Sequence, residues 1–126
     1  MKKHTETGGS MMRYSKYTLI TFNGLPKISL NDWYSGTHWR DRKDLKDIYT
    51  LLVFDVVKRK FKPKRYRVSY SFFFRIRPLD ATNCIAMVKM LEDCIFQDDK
   101  WSLIDIGEIT SRKADEDYVT IKIEEL

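Results

Sequence analysis

The stretch from Val68 to Ile76 constrains the fold more than any other part of this 126-residue chain. Large apolar side chains recur at every second position (Val68, Tyr70, Phe72, Phe74 and Ile76), while Ser69, Ser71, Phe73 and Arg75 take the alternate positions. A period of two marks a β-strand, because successive side chains leave a pleated backbone on opposite faces. So large an apolar face has to lie on a core that other elements cover. Pro78 stops the strand and Asp80 follows at once.

The rest of the chain supplies those covering elements. Tyr17 to Phe22 predicts a first strand, broken by Gly24-Leu25-Pro26. A long helix is expected from about His38 to Lys60, capped by Ser35 or Thr37, with an apolar stripe of Leu45, Ile48, Leu52 and Val56. Lys62-Pro63-Lys64 ends it. A second helix is expected from about Asn83 to Cys94, then strands near Leu103 to Ser111 and Tyr118 to Ile123. The order is β-α-β-α-β-β: an α+β fold, one mixed sheet with two helices packed on it, in a single domain of residues 14–126. Residues 1–13, with Gly8-Gly9-Ser10, predict a flexible N-terminal tail, and Met11 and Met12 leave a later start open.

Several classes are set aside at this level. No apolar run approaches the ~18–20 residues of a membrane-spanning helix, and the first residues lack the hydrophobic segment of a secretory signal. Cys84 and Cys94 are ten residues apart on one expected helix, about three turns, too far to bridge. Free thiols point to a reducing cytoplasm. Charge is uneven: residues 1–90 carry a balance of +12 and residues 91–126 one of −7. A basic body with a concentrated acidic segment can attract a polyanion and still hold a divalent cation.

Four groups of residues are candidates for chemistry. Asp80 stands between a strand and a helix, where it caps the helix together with Thr82 and Asn83, or presents a carboxylate at the edge of the sheet. Asp98-Asp99 is either a turn or a pair of hard oxygen ligands. Lys89, Glu92 and Asp93 share a helix face by i,i+3 and i,i+4 spacing, as a surface ion pair or as part of a site. The segment from Lys58 to Arg67 has seven basic residues in ten (Lys58, Arg59, Lys60, Lys62, Lys64, Arg65 and Arg67). That exceeds what a helix end needs and suits a phosphate backbone. Arg40 and Arg42 add to it after His38-Trp39.

In their order these pieces resemble the RusA family of Holliday-junction resolvases over roughly Leu19 to Glu124. The resemblance rests on Pro26-Lys27-Ile28-Ser29-Leu30-Asn31, on His38-Trp39-Arg40-x-Arg42, and above all on Leu79-Asp80-Ala81-Thr82-Asn83. A helix with Lys89 and Leu91-Glu92-Asp93 follows, then Asp98-Asp99. Thr82 stands where the family has a second aspartate, and Ala86 where it has its lysine. The resemblance implies a homodimer that cuts four-way or otherwise branched DNA. Mg²⁺, or Mn²⁺ in its place, would be held by Asp80 and Asp99 with Asp98, Glu92 and Asp93 available. Lys89 would stabilise charge, Asn83 and Thr82 would support the site, and the basic residues would hold the DNA arms. It also implies a cytoplasmic protein of a bacterium, or of a phage in a bacterial host. Two alternatives stay open: a DNA-binding relative that no longer cuts, and a small regulatory protein that binds an acidic partner.

Overall fold

The computed structural model describes residues 7–31 and 39–126. The expected cap at Ser35 or Thr37, the residue His38 and the side chains of Trp39 and Arg40 lie outside the described residues. Five strands form one sheet: β1 (Gly8–Arg13), β2 (Tyr17–Asn23), β3 (Tyr66–Phe74), β4 (Ile104–Lys113) and β5 (Tyr118–Glu125). Among the described residues, the helices α1 (Trp39–Val56) and α2 (Ile85–Ile95) accompany it, with a 3-10 turn at Ala81–Cys84 leading into α2. The strand order is β1-β2-β5-β3-β4. Only β3 and β4 are parallel; the other pairs are antiparallel. The expected α+β class with two helices and a mixed sheet is the one observed.

The alternation from Val68 to Phe74 builds the core. Val68, Tyr70, Phe72 and Phe74 are all buried, and the register sets Val68 against Ile123, Tyr70 against Ile121 and Phe72 against Val119. Ile20 and Phe22 extend the same face through β2. Tyr49, Val53 and Val57 cover it from α1 and its end, and Met87, Val88, Met90, Leu91 and Ile95 from α2. Burying a large apolar side chain stabilises a fold by roughly 1.5–3 kcal/mol, so this face dominates stability. The opposite face is mixed, with Phe73 stacked on Tyr118 at 4.3 Å beside polar side chains. Ser10, Thr21, Thr120, Ser71 and Thr110 pair in sequence to form one row of hydroxyls across all five strands.

Three expectations need correction. Residues 8–13, expected in a flexible tail, form the edge strand β1, paired with β2 from Gly8–Asn23 to Arg13–Thr18. Gly9 is there for space: a Cβ on it would collide with the Thr21 carbonyl oxygen and press on the Val56 side chain of α1. The α1 stripe is only partly the expected one: Leu45, Leu52 and Val56 pack against the core, but Ile48 does not. Tyr49 and Val53 are buried while Ile48 is 42% exposed, and the Tyr49 hydroxyl donates to the Pro26 carbonyl. Ile76 is exposed because β3 ends at Phe74. There the Arg75 N–H donates to Asp117 Oδ1 at 2.7 Å, and Arg77 turns the chain with φ of 50°. Lys27 Nζ holds that turn by donating to the Ile76 and Arg77 carbonyls at 2.9 and 3.0 Å.

Candidate nucleic-acid interface and acidic cluster

The parallel pairing of β3 and β4 decides where the acidic residues go. Parallel neighbours require a crossover that carries the chain back along the sheet, and here α2 is that crossover. Asp80 therefore lies where β3 has ended, and Asp98-Asp99 lies near its start, where Tyr66 pairs with Ile104. The length of α2, about 15 Å, stands between them. Asp80 and Asp99 do not share a site, contrary to the expectation from sequence. Asp80 occupies the N-cap position of the 3-10 turn without a side-chain capping bond; its carbonyl accepts from the N–H groups of Asn83 and Cys84 at 2.8 and 3.2 Å. Thr82 is exposed and Asn83 half-buried beside it.

At the other end of α2 the chain does assemble a cluster. Phe96 leaves the helix extended and bridges to Phe61, with Phe61 N–H donating to the Ile95 carbonyl at 2.8 Å and Gln97 N–H to the Phe61 carbonyl at 3.0 Å. Asp98 then makes the turn: its Oδ1 accepts from the Lys100 N–H at 3.1 Å and its Oδ2 lies 3.8 Å from Lys100 Nζ. This spends Asp98 on local structure and returns Asp99 to Glu92 and Asp93. Asp99 lies close enough to Asp93 to be, after burial, the main influence raising its carboxyl.

The electrostatics follow from that crowding. Burial, and next the charge of Asp99, push the Glu92 carboxyl up to about 7; a hydrogen bond from Tyr70 and the nearby charge of Lys89 oppose the shift. The Asp93 carboxyl is also pushed up, by burial and then by the closeness and charge of Asp99, against the pull of Lys46 and Lys60. Burial, followed by Glu92, raises the Tyr70 phenol well above its usual range. Two raised carboxyls, Glu92 and Asp93, crowded by the charge of Asp99, form a donor set of the kind a hard cation would relieve. Among the described residues, no three carboxylate, histidine or cysteine groups are already arranged around a common metal position.

The basic segment divides by partner. Lys64 pairs with Glu125 at 3.1 Å and Arg65 with Asp105 at 3.5 Å, both at the surface. Arg67 faces the mixed side of the sheet, beside Ser69, Ser71 and Lys122. Lys60 Nζ donates to the Asp93 carbonyl at 2.9 Å, which ties the segment to the acidic cluster. Arg59, Lys60, Lys62 and Lys64 line one side of a groove of about 1280 Å³. Arg13 and Lys16, from β1 and the turn after it, join the lining with Tyr14, Tyr17, Phe61, Tyr66 and Gln97. Glu124 and Glu125 are its acidic residues, so cations predominate. Sequence reading missed Arg13, Tyr14, Lys16 and Tyr17 because it placed Arg13 in a tail. The signal available was Arg13-Tyr14-Ser15-Lys16-Tyr17 itself, cations interleaved with aromatics.

A smaller groove of about 340 Å³ lies between α1 and the end of α2, lined by Lys46, Thr50, Phe54, Val57, Lys58, Lys60, Asp93 and Cys94. Lys60 borders both grooves. Cys84 is buried and Cys94 partly buried; both are free thiols. Among the described residues no helix is long and apolar enough to cross a membrane. Compared with known proteins, the chain matches no family model and no curated sequence.

Proposed function

We propose that this protein binds branched nucleic acid and hydrolyses its phosphodiester backbone, as an endonuclease of the junction-resolving type that its motifs resemble. The observation that carries the reading is the return of Asp99 to Glu92 and Asp93 beside Lys60, where the large basic groove meets the end of α2. Lysines and arginines along the groove would hold phosphates and position a strand without reading its bases. Lys46 and Lys60, which act on Asp93 from the α1 side, would hold the phosphate next to the carboxylates. Lys89, whose charge reaches Glu92, would balance the cluster.

Glu92, Asp93 and Asp99 form the set that would take a divalent cation, Mg²⁺ or Mn²⁺, since their oxygens are hard ligands and a cation would relieve the crowding that raises Glu92 and Asp93. Such a cation supplies a water of lowered pKa and neutralises charge on the phosphate. Asp80 stands outside the set, with Asn83 and Thr82 around it. A homodimer would offer two such sites for the two cuts that resolve a junction.

One observation favours a second reading, that of a nucleic-acid binder that does not cut. Asp80 is separated from Asp99 by the length of α2, and Thr82 adds no carboxylate beside it. A labelled four-way junction incubated with Mg²⁺ separates the two. The nuclease reading expects nicking by the unmodified protein, loss of nicking with retained binding for Asp99→Asn, and a smaller loss for Asp80→Asn. Binding without nicking by the unmodified protein would overturn it in favour of the binder.

A further inference from the structure

We infer that the smaller groove between α1 and α2 receives one unpaired nucleotide of the strand whose backbone follows the larger basic groove. This deepens the nucleic-acid reading above and rests on it. The two grooves are not independent, because Lys60 borders both. A backbone lying along the larger groove therefore reaches the mouth of the smaller one at a lysine already anchored to Asp93.

The smaller groove has the chemistry for a base and its phosphate. Its volume, about 340 Å³, lies at the lower end of the ~300–1,000 Å³ range of small-ligand sites, the size of a single nucleotide rather than a duplex. Lys46, Lys58 and Lys60 bring three cations to it, against one carboxylate, that of Asp93. Phe54 supplies a flat apolar ring and is 59% exposed, an unusual outlay of aromatic surface for a helix whose core face is filled by Tyr49 and Val53. Lys58 Nζ lies over that ring, 5.4 Å from its centroid, and is itself 4.0 Å from Asp55. The ring thus already accepts a cation on its face. A base can stack on such a ring, with its phosphate between Lys46 and Lys60.

A paired base enters only after unpairing and unstacking, which carries a free-energy cost. A nucleotide at a bulge or at the branch point of a junction can enter at little cost. Selectivity for discontinuous structure would then come from this groove, and general affinity from the larger one.

The test compares two labelled duplexes of one sequence, fully paired and with a single-nucleotide bulge, by fluorescence anisotropy at one salt concentration. The unmodified protein should prefer the bulged duplex by roughly tenfold, within the range of one base stacked on an aromatic ring. Phe54→Ala should reduce that ratio towards one, and Lys46→Ala should lower it. Leu51→Ala, an exposed apolar residue of α1 outside the groove lining, should keep it. Both Phe54 and Leu51 are exposed, so the variants should fold, which thermal melts check. Absence of a preference, or a preference insensitive to Phe54→Ala, overturns this inference and leaves the nucleic-acid reading standing. Failure to bind either duplex or a four-way junction overturns both.

Discussion

Tyr70, in the middle of β3, directs its hydroxyl to Glu92 Oε1 at 3.5 Å, joining the centre of the sheet to the acidic cluster. The bond is long, and it favours the ionised carboxylate. Tyr70→Phe should therefore raise the pH at which Glu92 loses its proton, while costing about 1 kcal/mol of stability. Thermal melts across pH 5 to 9 would read both effects. An unchanged profile would mean that the bond carries no weight.

Glu92 itself should make the protein less stable as pH rises. Its carboxyl is raised from 4.5 to about 7 in the folded chain. Between those values the folded state holds a proton that the unfolded state has released, so stability is full below about 4.5 and is lost as pH climbs through about 7. Glu92→Gln should remove that slope and raise stability at pH 8 by about 1–2 kcal/mol, discounting the shift for partial exposure. A variant that melts no higher than the unmodified protein at pH 8 would contradict this.

A divalent cation should act on the same charges. Millimolar Mg²⁺ at pH 8 should raise the melting temperature of the unmodified protein, and Asp99→Asn should abolish the increase. Asp80→Asn should retain it, because Asp80 lies beyond the far end of α2. Equal responses from the two variants would show that Asp99, Glu92 and Asp93 are not the cation's ligands.

The larger groove should follow polyelectrolyte behaviour. Lys16→Ala, Arg59→Ala and Lys62→Ala each remove one cation from its lining. Each should weaken binding to DNA of any sequence and lower the salt slope by about 0.7–0.9. Titrations between 50 and 200 mM salt would measure this; a sequence-dependent loss would point to base contacts instead.

Gly9→Ala should detach β1. The new Cβ meets the Thr21 carbonyl oxygen, a backbone atom that cannot move without disturbing the β2–β5 ladder. Amide exchange should then quicken along residues 8–13 while the core of β3 and β5 keeps its protection. Arg13, which lies over the Phe61 ring, would leave the larger groove with the strand, so DNA affinity should fall as well.

How much of this could be read from residues depends on what each pattern encodes. β3 was legible because a large apolar side chain recurs at every second position from Val68 to Phe74, a period that marks a half-buried strand. The α1 stripe was harder, because Ile48-Tyr49-Thr50-Leu51-Leu52-Val53-Phe54 is apolar almost all round. Periodicity cannot choose a face there, and the choice falls to packing and to the bond from Tyr49 to Pro26. β1 was misread because glycine marks both a linker and a place where backbones touch. The separation of Asp80 from Asp99 depends on β4 pairing parallel to β3, a long-range fact that no local motif carries. The i,i+3 and i,i+4 spacing of Lys89, Glu92 and Asp93 was legible locally, whereas the return of Asp99 to Glu92 and Asp93 depends on the turn made by Asp98.

β1 has a further role as a shield. Gly8, Gly9 and Ser10 occupy the hydrogen-bonding edge of β2 opposite Asn23, Phe22 and Thr21. A polypeptide begun at Met11 or Met12 would keep the core, both grooves and every carboxylate discussed here. It would also leave half of β2 with open backbone donors and acceptors, a template on which another chain can grow. The three small residues ahead of the twin methionines thus move that part of the sheet's open edge from β2 out to β1.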